Sequence, residues 1–250
     1  VETAARFGET AGQAAAGGSK PRRRQRNARG QGARLTEDIV SGALALIERT
    51  GSDEAVTLRA VAREVGIAAP SIYPHFPDPD SIVTAVVARV FDELTEAIQR
   101  GVTSAGADPV EQLVGGCEQY VRFGLEHPER YGVLFSERRN SLTRAAEYCR
   151  PVVIGRGGRP VLEFGAESFA LLVESIEACV RAGASASTDV VADGTAVWVA
   201  LHGTVALRTA LPRFPWPEPM EAFVRKLVLP LAQVTPAASG PEPEPQHRRA

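Results

Sequence analysis

Apolar residues recur every three to four positions along most of this chain, which predicts helices. No stretch of any length alternates with the period of two that a half-buried strand needs. Residues 36–50 carry Ile39, Ala43, Leu46 and Ile47 at helical spacing. Thr36 is placed to cap that helix, Glu37 and Asp38 fall in its first turn where the helix dipole favours acids, and Gly51 stops it. A second, short helix opens at Thr57 with Leu58, Val61, Ala62 and Val65 on one face, and Gly66 is the natural left-handed residue to end it. A third is predicted over 69–73, cut off by Pro74 and Pro77. A long helix follows over 80–100, striped by Ile82, Val86, Val90, Leu94 and Ile98, and residues 101–108 read as a break. Further helices are predicted at 109–126, 128–136, 141–150, 160–183, 189–211 and 217–234, punctuated by proline or glycine. The fold class is therefore all-α.

Composition adds boundaries to this picture. Residues 1–34 are rich in Ala, Gly and Arg, and residues 237–250 in Pro, Glu and Gly. Neither has apolar periodicity, so both are expected to be disordered tails. Between them the pattern divides into a small head, 35–83, and a helical body, 84–236. No uninterrupted run of ~18 apolar residues occurs, and no secretory h-region opens the chain, so no membrane partner is expected. Three distant cysteines (Cys117, Cys149, Cys179) without a CxxC pair suit reduced thiols in the cytoplasm better than a disulfide framework or a zinc site. Four scattered histidines, no paired acids and no activated nucleophile leave catalysis, metals and cofactors without candidate residues. The run Gly155-Arg156-Gly157-Gly158-Arg159 lacks a preceding strand and a following Lys-Ser/Thr, so it reads as an interhelical loop rather than a phosphate cradle.

Charge is unevenly spread. Residues 1–34 hold eight Lys/Arg against two acids, and residues 35–100 hold five Arg against eleven acids. The positive field thus sits in the arm, around Lys20, Arg22, Arg23, Arg24, Arg26 and Arg29, beside an acidic head.

The head has the layout of a helix-turn-helix: two short helices at a steep angle joined by a tight turn with a glycine-type conformation. The alternative is an ordinary helical hairpin in a bundle. The pattern Thr57-Leu58-Arg59-x-Val61-Ala62-x-Glu64-Val65-Gly66-Ile67, then Ser71-Ile72-Tyr73-x-His75-Phe76, with Ile82 beyond, resembles the TetR family of transcriptional regulators over about fifty residues. Further on, Trp198 to Gly203, with His202 four residues after the tryptophan, resembles the Trp-x-x-x-His-Gly signature of one group of TetR C-terminal domains. The resemblance implies an all-α homodimer whose heads bind an operator in double-stranded DNA. Its larger C-terminal domain would hold a small-molecule effector and the dimer interface.

Carried over by position, Thr57 would cap the first helix of the motif and hold a phosphate, and Arg59 would reach a phosphate or a base edge. Ala69, Pro70 and Ser71 would open the recognition helix in the major groove, and Tyr73 and His75 would meet backbone phosphates. Ile72 and Phe76 face inward. Ala68 stands where the family usually has a capping Ser or Thr, and Pro79 where a phosphate-binding Lys is common. The groove-facing residues are small and offer little direct readout. Either the arginines of the arm supply part of the electrostatic grip, or the arm is a solvated leader. The rival to the regulator reading is a helical protein-interaction module with weakened or lost DNA binding.

In the body, residues 190–211 are apolar around much of the helix, which requires burial on several faces. Gly194, Val199, Gly203 and Ala206 are candidates for a dimer seam; the alternative is a central core helix. Cys117, Tyr120, Phe123, Phe135, Phe164, Phe169, Trp198 and His202 are candidates for an apolar cavity wall, each with plain core as its alternative. For His202 that alternative is a hydrogen bond to a backbone carbonyl.

Overall fold

The computed structural model describes residues 31–136, 149–158, 160–161 and 163–235. Among them are eight α-helices and one antiparallel hairpin of two-residue strands. Helices α1 (Gln31–Thr50) and α2 (Leu58–Val65), with a 3-10 turn at Ala69–Ser71, make the head. Helix α3 (Pro79–Ser104) runs from the head into the body. There it packs with α4 (Pro109–Glu126), α5 (Pro128–Leu134), α6 (Ala166–Arg181), α7 (Val190–Ala210) and α8 (Met220–Leu231). Helix α4 is the hub, touching α3, α5, α6, α7 and α8. The all-α class is the one the periodicity predicts. The stripe Ile82, Val86, Val90, Leu94, Ile98 on α3 is buried throughout, as are Ile39, Ala43, Leu46 and Ile47 on α1.

Several local expectations change. Helix α1 starts at Gln31, so Thr36 is inside it and caps nothing. Its hydroxyl instead donates to the Gly32 carbonyl and meets His75 Nδ1 at 2.9 Å. Gly101 does not break α3. It lies at the crossing with α4, where a Cβ would come within 2.3 Å of the Gly115 carbonyl oxygen, and the break falls at Gly106. The glycine is there for close approach, a use that spacing cannot distinguish from a stop signal.

The predicted third helix is only the 3-10 turn and the turns after it. Pro70 takes an early position, and Pro74, four residues on, has no N–H for the Pro70 carbonyl that an α-helix would engage. The predicted helix at 160–183 begins at Ala166, because Val152–Val153 pairs with Pro160–Val161. Residues 155–158 of the glycine-rich run lie in the turn of that hairpin, tied to α6 by the Arg156 N–H donating to Glu177. The predicted helix at 141–150 lies almost entirely outside the described residues, and residues 1–30 and 236–250 lie outside them altogether.

Helix α7 is long and apolar enough to cross a membrane by length and composition. Here it packs one side on α4, α6 and α8, with Asp189 capping its start and Thr204 bonded to the Ala200 carbonyl.

Candidate nucleic-acid interface and ligand cavity

Local chemistry forms the head. Thr57 is extended and accepts from the Ala60 N–H, starting α2. Gly66, at φ 73°, ends it, and the Ile67 N–H reaches back to the Ala62 carbonyl to close the turn. Val61, Ala62, Ile72 and Phe76 are buried, which fixes the angle between α2 and the Ala69–Ser71 turn. That packing leaves Thr57, Arg59, Ala68, Pro70 and Tyr73 exposed, with Tyr73 at 59%.

Thr57, Arg59, Ala69, Pro70 and Tyr73 line one open groove. Arg59 has no ion pair among the described residues, whereas Arg49 is paired to Glu64 at 2.8 Å. Ser71 is half-buried, and His75 is half-buried with its Nδ1 held by Thr36. Ala68 makes no side-chain cap. Asp78 takes the capping role for α3, accepting from the Ser81 N–H at 2.8 Å, with Pro79 in the first turn. Arg22, Arg23, Arg24, Arg26 and Arg29 lie outside the described residues.

The body holds a half-open cavity of about 440 Å³ between α3, α4, α6, α7 and the hairpin. Cys117 and Tyr120 on α4, Phe135 after α5, Phe164 and Phe169 around the start of α6, and Trp198 on α7 all lie in its wall. Phe91, Leu94 and Ile98 of α3 join them, although their stripe reads in sequence as plain core. The hairpin contributes Ile154 and Val161, which no helical pattern could have placed there. Phe91 stacks on Phe164 with ring centroids 6.1 Å apart, and Phe169 meets Trp198 edge to face at 6.3 Å.

Two candidates for the wall fall elsewhere. Phe123 is a turn beyond the cavity on α4 and packs on the His127 ring. His202 is held off by Phe135, whose ring is 4.3 Å away, and bonds no backbone carbonyl among the described residues: its Nδ1 meets the Tyr131 hydroxyl at 2.8 Å. Tyr131 in turn bonds Tyr120 at 2.8 Å, so a chain of side chains runs from the cavity wall to α7. Burial pushes the Tyr120 hydroxyl up to about 12, raises Tyr131 further and lowers His202. Burial also pushes the Cys117 thiol up to about 12, so it faces the cavity as a neutral group rather than a nucleophile.

The seam candidates divide as well. Val199 (58% exposed) and Ala206 lie on the open side of α7, and a Cβ on Gly203 would meet empty space. Gly194 is buried against α6, where a Cβ would stand 3.2 Å from Val173, so it serves the internal α6–α7 contact.

Two bridges join cavity to head. Arg89 on α3 donates to Ser41 on α1 at 2.7 Å. On the α5 side, Arg130 bonds Glu48 of α1 and Glu93 of α3, and Ser136 donates to Asp53 at 2.7 Å.

The fold and these two regions define a helix-turn-helix regulator with a separate helical domain holding a small-molecule-sized space. The profile described as bacterial regulatory proteins, tetR family, matches residues 39–86, and the one described as tetracyclin repressor-like, C-terminal domain, matches residues 113–231. Together they take in more than half of the chain and both of its parts: the protein belongs to the TetR family of DNA-binding transcriptional regulators.

An uncharacterized HTH-type transcriptional regulator of Mycobacterium tuberculosis, Rv0681, is 34% identical over 96 residues, 38% of this chain and 42% of that protein. The chain spans less than half the length of the curated relatives it matches. Among solved structures, the TetR family regulator PfmR of Thermus thermophilus is similar at a TM-score of 0.53 and 18% identity, over 80% of this chain and 99% of that one. A tetR-family regulatory protein from Rhodococcus is similar at 0.57 and 17%, over 80% and 98%. At these identities the likeness is one of fold.

Proposed function

We propose that this chain is a ligand-responsive repressor that binds a near-palindromic operator as a homodimer and is released by a small molecule in the body cavity. One observation carries the reading: the cavity and the DNA-binding head are joined by elements that touch both. Helix α3 contributes Phe91, Leu94 and Ile98 to the wall and is tied to α1 through Arg89. The α5 segment contributes Phe135 and is tied to the head through Arg130 and Ser136. A guest that moves either element changes the spacing of two recognition segments that must lie about one DNA turn, ~34–36 Å, apart. A complete switch from 1:99 to 99:1 needs a preference of ~5.5 kcal/mol for the released state.

On DNA, the Thr57 hydroxyl, Arg59, Tyr73 and His75 act on phosphates, while Ala69, Pro70 and Ser71 face the bases with Ala68 at their edge. Arg22, Arg23, Arg24, Arg26 and Arg29 add charge along the backbone or in the minor groove. The dimer seam is the open side of α7 around Val199, Gly203 and Ala206, where large apolar side chains stand in water. We assign the body to the Trp-x-x-x-His-Gly group, supported by Trp198 in the wall and His202 tied to it through Tyr131 and Tyr120, and the protein to the cytoplasm.

The rival, a protein-interaction module without DNA binding, draws on the uncapped Ala68 and the single 3-10 turn in place of a full recognition helix. A gel shift with the DNA upstream of the protein's own gene separates the two. Specific retardation supports the repressor, and retardation no stronger than for random DNA removes it.

A further inference from the structure

The cavity wall is poor in protons to give. Ser175 Oγ donates to the Leu171 carbonyl and Thr195 Oγ1 to the Val191 carbonyl, each a turn back on its own helix. Thr95 donates to the Phe91 carbonyl at 2.8 Å, so the proton in its 2.7 Å bond with Ser168 comes from Ser168. Three wall hydroxyls are thus committed to protein acceptors.

Tyr120 differs. Its hydrogen-bond partner is the Tyr131 hydroxyl, and Tyr131 continues to His202 Nδ1. No bond in this chain ends on a carbonyl, so its direction is not fixed. With Nδ1 accepting, protons run from Tyr120 to Tyr131 to His202, and Tyr120 is left with a lone pair. With Nδ1 carrying a proton, the run reverses and Tyr120 has an O–H to give. Around it the wall is aromatic, with Phe91, Phe135, Phe164, Phe169 and Trp198. Among the described residues the wall holds no cation. Its one carboxylate, Glu163, is on an exposed stretch before α6. An anion placed here would lose its water and meet no opposite charge, and a cation would have only the ring faces and the exposed Glu163 to replace its water.

We propose that the effector is an uncharged, ring-bearing apolar compound whose one hydrogen-bonding group, a carbonyl or hydroxyl, is held by Tyr120. This rests on the cavity being the effector site. The test is calorimetric titration of the full chain at pH 7.5 with four probes on one skeleton: 1-naphthaleneacetamide, 1-naphthaleneacetate, 2-(1-naphthyl)ethylammonium and 1-ethylnaphthalene. The amide is expected to bind at least about tenfold tighter than either ion. Tyr120→Phe should weaken the amide about fivefold and leave ethylnaphthalene unchanged. Tyr131→Phe, which cuts the chain beyond Tyr120, should keep the amide bound. An ion that binds as well as the amide, or an amide indifferent to Tyr120→Phe, overturns the inference while leaving the cavity as a binding site. No binding by any probe overturns the cavity reading and this inference together.

Discussion

At Gly101 and Gly115 two helix backbones touch, and that contact sets how closely α3 lies on α4. A methyl group at Gly101 would sit 2.3 Å from a carbonyl oxygen that cannot swing aside as a side chain would. Gly101→Ala gains about 1 kcal/mol of helix propensity and costs about 1–3 kcal/mol in overpacking. Net loss is expected, read as a lower urea midpoint with an unchanged slope; a midpoint that rises would mean the crossing can open freely. His202 gives a second prediction at this scale. Its ring lies among Tyr131 and Phe135 of the α5 segment and Trp198 of its own helix, and burial lowers its pKa below the unfolded value. The unfolded chain therefore takes up the proton more readily than the folded one. The His202 contribution is intact above the ordinary histidine value of about 6.5 and is lost as pH falls through it towards the lowered value. His202→Asn keeps a polar atom near the Nδ1 position for Tyr131 and removes the titration. Melting temperatures of the two proteins should converge between pH 7.5 and 5.5, and parallel curves would refute the assignment.

Among the elements, what the sequence made legible depended on period. The amphipathic helices of the head and the α3 stripe were readable because each buries one face, and burial of one face writes a 3.6-residue pattern. Six of eight wall candidates lie on the cavity because large aromatics on core helices mark interior space. Phe91, Leu94 and Ile98 were missed as wall residues since a cavity wall and a filled core use the same side chains. Ile154 and Val161 were missed because the hairpin that carries them has strands of only two residues, too short for any alternation. The His202 bond to Tyr131 joins positions 71 residues apart, and nothing local encodes it. Helix α7 carries a prediction of its own. Val199 is 58% exposed in one protomer, so Val199→Glu should change protomer stability by only about 0.5 kcal/mol either way. If the seam closes over it, an unpaired carboxylate is buried, and the dimer should dissociate in sedimentation equilibrium with helicity unchanged. A dimer that survives lies on another face.

For the whole molecule, the distribution of charge is the question that decides how DNA is held. The head carries a net negative charge, and part of its positive charge is already spent, Arg49 on Glu64. Arg59 alone in the groove adds little long-range attraction. Each phosphate neutralised by a cation contributes about 0.9 to the slope of log affinity against log salt. Five clustered arginines in each of two arms could therefore dominate that slope, and engagement of even half of them would contribute roughly four to five units. Deleting residues 1–30 should then flatten the salt dependence by about that amount and weaken binding most at low salt, while the preference for operator over random DNA changes little. Arg59→Ala in the full chain should reduce the slope by about one unit per protomer. A deletion that leaves the slope unchanged would assign the grip to the heads. In that case the groove of Thr57, Arg59, Pro70 and Tyr73 would have to hold DNA against the repulsion of its own acidic surroundings.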